Sequence, residues 1–95
     1  MILAPSAWLP TSPEMRALVA ALGASADLFP HDARRMATEL LQRLEIQGES
    51  LTLTARQMDR IRVLVRHHRG LIRDATALLD AERASTASAR HLPQE

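Results

Sequence analysis

LTARQMDRIRVLVRHHRGLIRDATALL, residues 53–79, is the stretch that decides the fold. Thr54 followed three residues later by Gln57 has the form of a capping box, and Leu53 and Met58 flank it as a hydrophobic staple, so a helix is predicted to begin at Ala55. Ile61, Leu64, Val65, His68, Leu71, Ile72, Ala75, Leu78 and Leu79 then recur at alternating spacings of three and four. The phase passes through Gly70 unbroken. A single internal glycine costs a helix about 1 kcal/mol, less than the burial of several Leu or Ile side chains at about 1.5–3 kcal/mol each. The reading is therefore one amphipathic helix to Arg83, about 45 Å long at about 1.5 Å per residue.

Upstream, Pro30 precedes a second stripe of Ala33, Met36, Ala37, Leu40, Leu41 and Leu44, which predicts a helix over His31–Ile46 ending at Gly48, with 48–53 as the connecting loop. Ser12, Pro13 and Glu14 supply a cap, a proline at the first helical position and an acid near the positive helix end. A short helix over Pro13–Leu22 follows, with Gly23 as its C-terminal cap. Residues 1–12 read as an extended arm, in which Trp8 is expected to pack on the bundle, with an interface anchor as the alternative. Residues 13–84 form the helical domain, and 85–95, small and polar, a flexible tail. The expected class is all-α: a three-helix arrangement with two shorter helices packed on one long amphipathic C-terminal helix.

Because the second helix reaches only half as far as the third, part of the long stripe is left uncovered. The seven-residue spacing of Leu64, Leu71 and Leu78 predicts that a second copy or a partner helix covers it, which makes the chain a homo-oligomer. The candidate apolar docking residues are Ile61, Leu64, Val65, Leu71, Ile72, Leu78 and Leu79.

The 95 residues suit a single domain, and 46% hydrophobic with only 2% aromatic content favours helix over sheet. All twelve basic residues are arginine, as a GC-rich coding bias would give, and cysteine is absent, which fits a reducing compartment and leads to an expected cytoplasmic location. Met1–Pro10 has neither the basic start nor the uninterrupted apolar run of a signal peptide, and no membrane span is expected.

Catalysis finds no candidates. None of His31, His67, His68 and His91 has a convincing partner, no carboxylate sits one turn from His67 or His68, and no serine or glycine-rich loop has a catalytic or phosphate-binding context. The chain is read as non-enzymatic, with no cofactor and no metal. His68, in the middle of the stripe, is read as a core histidine.

Charge is the other signal. On an unbroken helix Arg62, Arg66, Arg69 and Arg73 fall within about 60° of one another, forming a basic ridge away from the leucines. Three readings stay open: a solvated face, a contact for an acidic protein surface or second copy, and a track for nucleic-acid phosphate. Leu53, Thr54, Arg56, Gln57, Asp59, Ile61 and Gly70 resemble the opening helix of the helix-turn-helix domains at the ends of bacterial response regulators. That resemblance implies DNA binding by a recognition helix. Leu71, Ile72 and Asp74 stand where that family starts its next helix with Ser or Thr. In size and helical build the chain resembles the small export chaperones and adaptors of bacterial secretion systems, which implies a helical groove for a partner segment. The expectation is a helical protein–protein interaction module of that kind, with a small DNA- or RNA-binding regulator as the alternative.

Overall fold

The computed structural model describes residues 7–90, with side chains described as far as Thr86. The parts of the arm and tail at 1–6 and 91–95, His91 included, lie outside the described residues. The order of elements is β1 (Trp8–Pro10), α1 (Pro13–Ala24), α2 (His31–Gln47), β2 (Thr52–Thr54), α3 (Ala55–His67) and α4 (Ala75–Arg90), with single 3-10 turns at Ala26–Leu28 and Gly48–Ser50. The chain is mostly helical, as expected, but there are four helices and a small sheet.

The long C-terminal helix does not form. His68 N–H closes the last turn of α3 onto the Leu64 carbonyl, and Leu71 N–H then turns back to the His68 carbonyl at 2.8 Å. Asp74 sits at φ 60, in the left-handed region that Asp tolerates better than most residues, and its carbonyl accepts the Leu78 N–H at 2.9 Å as α4 begins. The reason is coverage. A straight helix about 45 Å long would project past its shorter neighbours, whereas the break folds α4 back so that Ile72 and Ala75 join the same core as Ile61 and Val65. In consequence α4 runs to Arg90 through much of what was read as tail.

The core is organised on α1. Its Met15, Leu18, Val19 and Leu22 are all buried, and it packs against each of the other three helices. Ser12 caps it by accepting the Met15 N–H at 3.0 Å. Gly23 is not the cap: α1 continues to Ala24 and closes at Ser25. Glycine is needed at 23 because a Cβ there would lie 2.6 Å from Leu41 Cβ on α2, so its absence lets the two helices approach closely. Gly48, at φ 55, is the glycine that ends a helix.

The expected loop before α3 contains a strand. Leu51 and Leu53 are fully buried on either side of the half-buried Thr52, the period of a strand, and Thr54, which caps the next helix, is buried as well. β2 pairs antiparallel with β1, Leu9 opposite Leu53. Thr11 donates to the Leu51 carbonyl at 2.8 Å, fastening the start of α1 to the same ribbon. Trp8 does not pack into the bundle; it is 58% exposed, with the Arg43 guanidinium 5.0 Å over its ring.

Candidate interaction face on helix α3

Thr54 starts α3 with the full capping box: its hydroxyl accepts the Gln57 N–H at 3.1 Å while its own N–H donates to Gln57 Oε1 at 3.0 Å. This fixes the helix rotation. Ile61 and Val65 are buried against the core, Met58 and Leu64 half-buried, and Arg56, Asp59, Arg60, Val63, Arg66 and His67 face solvent.

The residues read as an apolar docking stripe are therefore largely internal. Ile61, Val65 and Ile72 are core, and Leu64, Leu78 and Leu79 are partly buried against it. Only Leu71, 45% exposed in the turn between α3 and α4, presents a large apolar surface. The covering that was expected of a second chain comes, for Ile61 and Val65, from within the molecule.

The four arginines of the expected ridge separate once the helix breaks. Arg62 turns toward α4 and holds Glu82 in a bidentate pair, Nε and one terminal nitrogen donating at 2.8 Å each, while its other terminal nitrogen donates to Asp59 at 2.7 Å. Glu82 is buried and also accepts from the Thr86 hydroxyl at 2.8 Å. The hydrogen bonds from Arg62 hold the Glu82 carboxyl below the usual carboxylate range, against the opposing pull of burial, and the same contact raises the Arg62 guanidinium. Arg62 is thus a tie between α3 and α4. Reading α4 as Ala75, Leu78, Leu79 and then Glu82, at the same three-four spacing, would have placed this carboxylate on the buried side.

Arg66 and Arg69, with Val63 and His67, line a shallow concavity of about 380 Å³, and Arg73 is exposed farther along the connecting turn. Arg56 and Arg60, which the expected ridge did not include, extend the same basic face toward the start of α3. Their spacing with Val63 and His67, at 56, 60, 63 and 67, was the available signal. Among the described residues none of Arg56, Arg60, Arg66, Arg69 and Arg73 forms an ion pair. Six arginines against Asp59 and Asp74 give residues 55–74 a net +4, so with the whole chain at +1 the remainder carries −3.

His68 is half-buried and stacked on the core residue Phe29, ring centroids 4.7 Å apart at 26°, as a packing histidine would be. Among the described residues no cluster of His, Asp and Glu could hold a metal ion, and no helix is long and apolar enough to cross a membrane. No protein-family model, curated protein or solved structure matches the chain.

Proposed function

We propose that this chain is a non-enzymatic interaction module, of the adaptor kind, that docks through the basic face of α3 onto an acidic protein surface. The observation that carries this reading is that the arginines of α3 work against the helix that bears them. The positive end of a helix dipole favours acids, and α1 and α2 place Glu14 and Asp32 there, whereas α3 has no acid in its first turn and carries Arg56 instead. Arg56 and Arg60 are like charges at i,i+4, unfavourable by about 0.2–0.5 kcal/mol, and unlike Arg62, which Glu82 and Asp59 neutralise, neither forms an ion pair among the described residues. Arg66 and His67 at the C-terminal end suit the dipole, but the face as a whole exceeds what folding asks of it. An anionic partner relieves the strain.

A protein suits this face better than nucleic acid. Val63 and Leu71 are exposed among the arginines, and phosphate offers them nothing. The helix after the turn is a poor reading head: of Thr76, Ala77, Asp80, Ala81, Arg83 and Ala84, which face solvent on α4, Arg83 alone has the paired donors that commonly read base edges. α3 carries no Phe, Tyr or Trp for base stacking, and His67 is its one exposed ring.

The test is affinity capture from cells of the source organism with the intact chain and with the triple reversal Arg56→Glu, Arg60→Glu, Arg66→Glu, beside a gel shift on random duplex DNA near physiological salt. The reading expects an acidic protein retained by the first and lost by the second, with no DNA shift at micromolar concentration. Sub-micromolar DNA binding abolished by the reversal would replace it with the regulator alternative.

A further inference from the structure

We infer that the concavity at the C-terminal end of α3 receives one apolar side chain of an acidic partner segment, with Val63 making the apolar contact and Arg66 and Arg69 holding the carboxylates on either side. This rests on the acidic-surface reading above and adds which part of the face selects the partner.

Val63, Arg66 and His67, at i, i+3 and i+4, share one face of α3, and Arg69 reaches the same hollow from the turn that follows. The chemistry of the lining is mixed in a defined way: a β-branched apolar residue, 55% exposed, with two guanidinium groups beside it and no carboxylate among the lining residues. An inorganic anion would satisfy the arginines and leave Val63 against water. A wholly apolar ligand would cover Val63 while withdrawing water from the arginines without replacement, which is unfavourable. An apolar side chain flanked by Glu or Asp answers both, since each guanidinium can take a carboxylate through paired N–H donors.

The hollow is also held in place. His67 meets His68 edge-on, centroids 4.8 Å apart at 84°, and His68 stacks on buried Phe29, so one wall is linked to the core. The turn carrying Arg69 is pinned by the Leu71 N–H donating to the His68 carbonyl. A site ordered before binding loses less conformational freedom on association than a mobile one.

The experiment is a fluorescence-anisotropy titration of the intact chain with a labelled peptide of Glu and Asp alone, and with the same peptide carrying one central Leu. The Leu peptide is expected to bind about tenfold tighter, the effect of roughly two methylene equivalents buried. Val63→Ser, at an exposed position, should erase that advantage and leave the all-acidic peptide unchanged, while Arg66→Glu should weaken both. Equal binding of the two peptides, or an advantage that survives Val63→Ser, overturns the inference and leaves acidic docking standing. If neither peptide binds, both the inference and the acidic-surface reading are overturned.

Discussion

The α1–α2 pair and the α3–α4 pair are each two helices joined by a short connection, yet different forces hold them. Between α1 and α2 the contact is apolar and close: Gly23 lets α2 approach until Leu41 occupies the place of a side chain, and Leu18, Val19 and Leu22 of α1 share one core cluster with Ala37 and Leu40 of α2. Between α3 and α4 a buried carboxylate is fastened to an arginine, with Leu78 and Leu79 only half-covered. The first pair depends on shape and is sensitive to volume. The second adds a charge pair to the core contacts of Ile61, Val65 and Ala75 and is thereby sensitive to pH, and its first helix turns its remaining arginines outward.

The largest effect expected from breaking this contrast is at Gly23. In Gly23→Ala the new methyl meets Leu41 Cβ, an atom that cannot rotate away, so the helices must part. Overpacking of this kind costs about 1–3 kcal/mol, offset in part by the better helix propensity of Ala, and a net loss of about 1–2 kcal/mol is expected in urea denaturation. A gain would mean that α2 can yield at little cost.

Glu82→Ala should cost less, about 1 kcal/mol, because Arg62 keeps Asp59 and has 27% of its side chain in water. The loss should be local: amide exchange should quicken along α4 while α1 and α2 stay protected. The same pair sets an acid limit. The folded Glu82 carboxyl lies below its unfolded value of about 4.3, so its stabilisation is complete above that pH and disappears as pH falls through the lower folded value. Glu82→Gln should flatten the acid limb of the stability curve, and an unchanged limb would show that other carboxylates govern it.

How much of this was legible in the sequence differs along the chain for physical reasons. The starts of α1 and α3 were, because Ser12 and Thr54 cap through local hydrogen bonds that a few neighbouring residues determine. The stripe of α2 was, since Ala33, Ala37 and Leu40 face the core as their spacing predicts. The break after His67 was not, because the apolar phase of 61–79 is the same whether the helix continues or folds back; the length of the neighbouring helices decides. β2 was hidden by brevity, although Leu51 and Leu53 alternating with threonines carried a signal of period two. Of the candidate site, the excess of arginine around α3 was visible. The commitment of Arg62 to Glu82, twenty residues away, required the third dimension. Arg56 and Arg60 were legible in the spacing 56, 60, 63 and 67, but the alignment of Arg62, Arg66, Arg69 and Arg73 on an unbroken helix outweighed it.

The central claim is that the exposed arginines of α3 serve a partner at the expense of the helix, and Arg56→Glu tests it most directly when folding stability is measured at low salt. That substitution places an acid in the first turn and a Glu four residues before Arg60, both favourable to the helix. The prediction is a gain of about 0.5 kcal/mol in stability, together with weaker binding of the acidic peptides. A loss of stability would contradict the account, because it would mean that Arg56 belongs to the fold.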